Sequence, residues 1–289
     1  MLRSMTGFGR AEGQIGGKKV TVELRSLNSK QLDLLVKLPT LWRDKEAELR
    51  SWATEHVVRG KAELGISVEG VQAQKRTAFN PGLVQSYYDE LHAMAQRIAP
   101  NAQTDLLGLV LRLPDVMTTA REEYDPAEWA GVQQLVDQAW NAFDQFRLAE
   151  GAKLKAELAQ RTANISALLA GVEAMDAGRI ERTRGRIRAK LEELQAKVDQ
   201  DRFEQELVYY IEKLDVTEEK LRLATHCNYF LETMEQEEGQ GRKLSFISQE
   251  MGREINTLGS KANDADMQKR VVLMKDELEK IKEQVLNVL

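Results

Sequence analysis

Apolar and polar residues alternate along Lys19–Arg25 and again along Lys61–Glu69, the period of strands with one buried face. The run Gly13-Gln-Ile-Gly-Gly17 separates the first of these from the segment Arg3–Glu12, and Gly16-Gly17 predicts a hairpin turn. Gln31–Lys37 reads as another strand, closed by Pro39. Leu41–Val58 has helical spacing, with Leu41, Trp42, Leu49, Trp52 and Val57 as inward positions. Residues 1–78 therefore predict a small mixed α/β domain.

From Asn80 onward the apolar period becomes helical. Asn80-Pro81 combines a capping residue with proline at the first helical position and opens a helix to about Ile98. Asp125-Pro126 repeats the signal and opens a helix running to about Met175. Asp176-Ala-Gly178 breaks it, and a second long helix continues to about Gln200. These two long helices predict a protruding antiparallel hairpin or coiled coil within a helical connector, residues 79–201. Residues 202–289 predict three more helices: about Phe203–Glu237, Lys243–Leu258, stopped by Gly259, and Ala265–Val288. The fold class expected is α+β, with an N-terminal mixed domain, a helical connector and a C-terminal helical region.

Composition refines this only slightly. The 289 residues are enough for about two domains. Aromatic residues are few (6%) and charges many (30%), a balance that favours helix and oligomerisation. With one cysteine, Cys227, no internal disulfide is possible, and three histidines beside it make no structural zinc pattern. The first residues carry no apolar signal segment and no stretch approaches a membrane span, so a cytoplasmic protein is expected.

Charge changes the picture more. The net charge of −5 argues against a nucleic-acid partner, yet residues 1–78 hold 14 lysines and arginines against 9 acids. Residues 79–201 hold 14 against 19, and residues 202–289 hold 13 against 18. A protein that grips phosphates in one region and holds a cation in another has this distribution, and so do solvated faces that differ by chance.

Asp215, Glu219, Arg222 and His226 follow one another at helical spacing and share a narrow stripe. Carboxylates one turn apart can share a hard divalent cation, and an imidazole beside them can act as ligand, general acid or phosphate contact. The opposite face carries Leu214, Leu221 and Ala224, which suggests that the polar stripe is not used for packing. On the next helix Gln249, Arg253 and Asn256 share a face and Glu250 and Glu254 the adjoining one, with Lys261 beyond. Gly239-Gln-Gly-Arg242-Lys243, ahead of that helix, reads either as a phosphate seat or as a simple interhelix turn. At the N-terminus, Phe8 between glycines offers a stacking surface for a base or a core residue, and Arg10 a phosphate contact. Arg25, Asn28, Lys30, Arg59 and Lys61 extend the basic side. The arginine run at 179, 182, 184, 186 and 188 is either an RNA contact or a solvated helix face. Phosphate-binding P-loop, serine-hydrolase, zinc-protease and dinucleotide motifs are absent from the sequence.

Several of these segments together resemble the YicC family (YicC/YloC-type) of bacterial proteins. They are Ser4–Arg10, Val22–Asn28, Arg59-Gly-Lys61, Arg147–Gly151, Gly241–Leu244, Gln249–Lys261 and Glu279–Asn287. The resemblance covers nearly the whole chain, and Gln249–Lys261 is its most specific part. It implies a divalent-metal-dependent endoribonuclease built as a homohexameric clamp around RNA. It also places the family's motif residues on Asp215, Glu219, Arg222, His226, Gln249, Glu250, Arg253, Glu254, Asn256 and Lys261. Ser245 stands where the family usually has Asp, and Gly252 where it usually has Asn.

The resulting expectation is metal-assisted RNA cleavage. Asp215 and Glu219, with Glu250 or Glu254, would hold Mn2+ or Mg2+. Arg222, Arg253 and Lys261 would bind the scissile phosphate, and His226 would protonate the leaving oxygen or orient water. RNA would be held by Arg10, Arg25, Asn28, Lys30, Arg59, Lys61, Arg242, Lys243, Gln249 and Asn256. Two other readings stand beside it: a non-catalytic RNA adaptor or chaperone, and metal-free cleavage by His226 with an acid.

Overall fold

A computed structural model describes residues 2–69, 77–101, 104–119, 125–176, 178–193, 200–236 and 240–289. Gly16 and Gly17 both adopt positive φ, 56° and 73°. That geometry closes a two-residue hairpin whose twist matches its strands. The turn joins β1 (Gly7–Ile15) to β2 (Lys18–Leu27), antiparallel, with Ile15 opposite Lys18. β3 (Leu32–Lys37) and β4 (Gly60–Glu69) complete a sheet of order β1-β2-β4-β3, in which β2–β4 is antiparallel and β3–β4 parallel. The crossover contains a 3-10 turn, Thr40–Lys45, and helix α1 (Glu46–Val57). Trp42, Leu49 and Val57 are buried there, as their spacing predicts, with Leu41 and Trp52 at the margin.

A two-stranded ladder of β5 (Thr77–Phe79) and β6 (Met117–Thr119) frames α2 (Pro81–Ile98) and α3 (Leu106–Val110). Asn80 caps α2 as expected, its side-chain oxygen accepting from Leu83 N at 3.2 Å. The ladder and α3 have no counterpart in the sequence reading, because strands of three residues are too short for alternation to register.

Helix α4 (Pro126–Asp176) spans 51 residues and organises the molecule. Its first half presents Trp129, Val132, Val136, Ala139 and Phe143 to the sheet. The second half presents Leu158, Ile165, Leu169 and Val172 to the C-terminal helices. The core of the sheet is therefore completed by residues beyond 78. This also corrects the expected pairing. α4 is a buried spine, and the antiparallel helical hairpin is made by α5 (Arg179–Glu193) with α6 (Gln200–Leu214), joined by the Arg188–Glu204 ion pair. The reason is that α4 is apolar along a seam nearly end to end, whereas among α5 residues only Arg179 and Thr183 are buried.

Three helices follow: α7 (Thr217–Thr233), α8 (Gln240–Lys261) and α9 (Ala265–Val285). The single helix expected from Phe203 to Glu237 is broken at Asp215-Val216. Asp215 accepts from Thr217 N at 3.0 Å and Thr217 Oγ1 at 2.7 Å, so it starts a new helix rather than continuing the old one. Glu218 and Glu219 in the first turn are the accompanying N-terminal signal. α8 runs past Gly259, which is buried and helical against Val271.

The end of the chain ties the two cores together. Val288 bridges Ser4, Met5 N donates to Asn287 O (2.8 Å) and Leu289 N donates to Arg3 O (3.0 Å). Arg147, 1% exposed at the middle of α4, donates from Nε to Ser4 O at 2.8 Å and lies over the Phe143 ring. Burial pushes its pKa down to about 10, leaving it charged at neutral pH. Gly241 shows why the α8 start is glycine-rich. A Cβ there would lie 2.4 Å from Val288 O, and Gly241 N donates to Leu289 O. The backbone of the tail occupies the place where a phosphate seat was one of two expected readings, while Gly239 lies outside the described residues. Gly241→Ala is expected to destabilise the protein by about 1–3 kcal/mol, the usual cost of overpacking, read as a lower urea midpoint.

Candidate active site

Helices α7 and α8 form an antiparallel pair. Lys261 meets Glu219 at one end, and Lys243 donates to Gln236 Oε1 (3.0 Å) at the other. Asp215, Glu219, Arg222 and His226 follow one another at helical spacing on and just before α7, and Lys261, Glu254 and Glu250 on α8; Glu219 meets Lys261 across the pair, while Asp215 and Arg222 are exposed. The register puts His226 near the height of Glu254, both midway along. Glu254 is buried and His226 half-buried.

The α7 stripe does not lie opposite the core, as its apolar neighbours suggested. Leu221 is 69% exposed, and the buried face of α7 is Glu219, Leu223, Cys227 and Phe230. Glu219 thus begins the core-facing row with a carboxylate that is only 6% exposed. Its Oε1 lies 2.8 Å from Lys261 Nζ, while Oε2 is buried and has no hydrogen-bond partner among the described residues. A buried carboxylate oxygen with an unused lone pair is costly unless a donor or cation reaches it.

Asp215 stands beside this pair. The Thr217 hydroxyl, then the Thr217 backbone N–H, hold its pKa below the ordinary aspartate value, with help from Lys261 and Lys220. Because the folded-state pKa is the lower one, these contacts stabilise the protein above the unfolded pKa. That contribution is lost as the pH falls through the folded value. Thr217→Val is therefore expected to cost about 1 kcal/mol at pH 7. The difference from wild type should vanish under strongly acidic conditions, which urea titrations at several pH values would record.

Asp215 and Glu219 are not gathered with Glu250 or Glu254 into one cluster among the described residues. Glu250 lies 11 residues before Lys261, about 16 Å along the helix at 1.5 Å per residue. Arg253 Nη1 pairs with Glu250 at 2.8 Å. Among the described residues no group of three or more His, Cys, Asp or Glu side chains is placed to hold a metal ion. Asp215 and Glu219 are the carboxylates nearest one another that could meet a hard cation, and Glu219 Oε2 is the oxygen left over for it.

The residues expected to hold RNA fall into separate groups. Gln249, Arg253 and Asn256 are exposed on α8, and Arg222 is exposed on α7 beside Glu218. Arg242 is exposed and Lys243 half-buried over the Tyr229 ring, at the far end of α8. Asn28, Lys30, Arg59 and Lys61 gather at one end of the sheet, where Asn28 Nδ2 donates to Asn287 Oδ1 and Arg59 Nε to Ser29 O. Arg10 and Arg25 lie on the open face of the sheet. Arg10 pairs with Glu12 and Glu23, and Arg25 pairs with Glu23 while covering the ring of Phe8. Phe8 is 41% exposed and available for stacking rather than part of the core.

Sequence reasoning missed the support beneath the site. Lys220 donates to Asp176 Oδ2 at 2.8 Å, and Arg179 donates to Asp176 Oδ1 at 2.9 Å. Burial opposes ionisation of Asp176, but these two cations outweigh it and hold its pKa low. The arginine run predicts Arg179 on a face open to RNA or solvent, yet it is 2% exposed.

Comparison with known proteins gives the chain's family. The family profile described as "Endoribonuclease YicC-like, N-terminal region" matches residues 2–156, and "Endoribonuclease YicC-like, C-terminal" matches residues 172–289. A protein of Clostridioides difficile (strain 630) named "Probable endoribonuclease YicC" is 30% identical over 293 residues, covering all of both chains. One of Haemophilus influenzae with the same name is 29% identical over 289 residues, again covering all of both. The profile boundary falls within the second half of α4, in keeping with a sheet core completed by that helix. The chain belongs to the YicC-like endoribonuclease family.

Proposed function

We propose that this protein cleaves RNA internally and that the α7–α8 hairpin carries the cutting residues. The carrying observation is Glu219: buried, paired on one oxygen with Lys261, and without a partner on the other among the described residues. Its free oxygen takes a proton from the attacking group or ligates a cation. Lys261, with Arg222 and Arg253, neutralises the phosphate as charge develops. His226 delivers a proton to the leaving oxygen. Divalent-metal assistance is part of the proposal: Asp215 and Glu219 would hold Mn2+ or Mg2+, which would supply positive charge at the phosphate. Glu250 and Glu254 serve further along the hairpin, beside Arg253 and His226.

RNA binding and assembly complete it. Lys243 lies 18 residues from Lys261 on α8, a separation of about 27 Å, so the basic start of α8 and the acidic end reach different parts of one RNA. A homohexameric ring would place the sheet loops carrying Asn28, Lys30, Arg59 and Lys61 around the strand. Exposed apolar side chains at Ile98, Leu107, Leu109 and Met117 suit burial between copies. No helix among the described residues is long and apolar enough to cross a membrane, which leaves the cytoplasmic placement as part of the proposal.

The test is cleavage of a structured RNA by purified protein with Mn2+ or with EDTA, with product ends analysed. Loss of cleavage in EDTA, and a melting temperature raised by Mn2+ in wild type but not in Asp215→Ala, support the metal role. Cleavage that survives EDTA removes it. A 5′-phosphate product marks attack by water, and a 2′,3′-cyclic phosphate attack by the ribose. Light scattering checks the ring, expected at six copies of the 32.8 kDa chain.

A further inference from the structure

Four helix ends meet at one buried guanidinium. Asp176 is the last residue of α4 and Arg179 the first of α5. Leu214 closes α6, and Lys261 closes α8. The last carbonyls of a helix lack partners within it and need a donor from elsewhere. Arg179 supplies two of them: Nη2 donates to Leu214 O at 2.5 Å and Nη1 to Lys261 O at 3.4 Å, while Nε is held by Asp176 Oδ1. The other oxygen of Asp176 accepts from Lys220, the neighbour of Glu219. The contacts thus end on the residue before Asp215, on the residue after Glu219, and on Lys261 itself.

The charges are not ornamental at this depth. Arg179 is 2% exposed, and the side chains of Asp176 and Lys220 are 11% and 15% exposed. A buried ionic cluster is weak evidence for stability, because desolvation offsets the attraction. A planar fork of donors does fix geometry, since each N–H points in a set direction. A lysine at this position has one flexible ammonium and cannot span three acceptors on different helices.

We propose that Arg179, oriented by Asp176, is a positioning residue of the cleavage site, setting Lys261 and Asp215 against Glu219. The inference rests on the reading of the α7–α8 hairpin as the cutting site. It assigns a role to the α4–α5 turn, which contributes no group to the chemistry.

The experiment compares wild type, Arg179→Lys and Asp176→Asn in the full-length protein. Two quantities are read: kcat and KM on a structured RNA, and the rate at which Lys261 Nζ is acetylated by a water-soluble reagent, mapped by mass spectrometry. Both variants are expected to label Lys261 at least about threefold faster than wild type, because its ion pair loosens. Arg179→Lys is expected to lower kcat at least about tenfold with KM within about twofold, the pattern of lost transition-state alignment. In a Lys261→Ala background the same change should cost little more, since residues acting through one group are not additive. Should Arg179→Lys fail to fold, Asp176→Asn, which preserves shape, carries both readings. Wild-type labelling of Lys261 in the folded variants, or losses that add in full, would overturn the inference. Faster labelling with unchanged cleavage would uphold the positioning contact and reject the hairpin as the cutting site.

Discussion

Glu219→Gln is expected to lower the rate of RNA cleavage by about a hundred- to a thousandfold, the range lost when a preorganised charged group leaves a site. The substitution keeps size and leaves an amide oxygen where Oε1 meets Lys261, but it removes the negative charge and the proton acceptor at Oε2. KM should change little, because RNA is held mainly by cations elsewhere, so the loss appears in kcat. A structural explanation predicts something different. Removing one partner of a buried ion pair leaves the other uncompensated, at up to about 3–5 kcal/mol for a fully buried pair. Lys261 is 31% exposed in its side chain, so water relieves much of that cost. Single-turnover kinetics beside a melting curve separate the two. A folded variant with cleavage near the wild-type rate would remove Glu219 from the chemistry.

The second large effect concerns stability. Phe143→Ala is expected to destabilise the protein by about 3–5 kcal/mol, the range for emptying a buried aromatic position. For a chain of this size that lowers the melting temperature by roughly 10 °C. Phe143 is fully buried where β1 crosses α4, and the absence of side chains at Gly7 and Gly9 makes room for it. Its ring also lies beneath the Arg147 guanidinium, which pins the N-terminal segment through Ser4 O. The damage should therefore fall on the sheet and on residues 2–5, leaving the packed face of α7, α8 and α9 in place. Differential scanning calorimetry measures the size of the loss. Hydrogen exchange measures its location: faster exchange in β1 and β2 than in α8 is the expected pattern, and uniform acceleration would show a single undivided core.

Local signals carried much of the fold into the sequence. Gly16-Gly17, Asn80-Pro81 and Asp125-Pro126 each act within a few residues, through positive φ or capping, so a reader of the chain finds them without tertiary information. What stayed hidden depends on partners far apart. The seam of α4 does not say which helix covers it. The five arginines from Arg179 look alike in one dimension, yet the first is buried because two helix ends converge on it. The break at Asp215 was legible in principle: an acid, then Thr217, then two acids in the next turn is a helix start. The apolar spacing across it made the segment read as continuous.

The site was legible in part for the same reason. Asp215, Glu219, Arg222 and His226 were found by spacing, because a stripe is a local property. That Glu219 points into the packed hairpin and finds Lys261, 42 residues on, follows only from the antiparallel register of α7 and α8. The carboxylates on the two helices looked interchangeable as metal ligands. Helical rise separates them, with Glu250 about 16 Å from the Glu219–Lys261 end. The tail residues 287–289 are another case. Their pairing with residues 3–5 and with Gly241 explains the glycine that leads α8, a contact no local pattern announces.

The proposed cutting of RNA on the α7–α8 hairpin has a direct physical readout. It is tested most directly by photo-crosslinking a 4-thiouridine-substituted RNA to the Glu219→Gln variant, which is expected to bind without cutting, and mapping the crosslinked peptides. The account predicts crosslinks within Thr217–Thr233 and within Gln249–Lys261, together with others at the sheet loops around Asn28 and Arg59. Crosslinks confined to the sheet loops, with none on either helix, would contradict it.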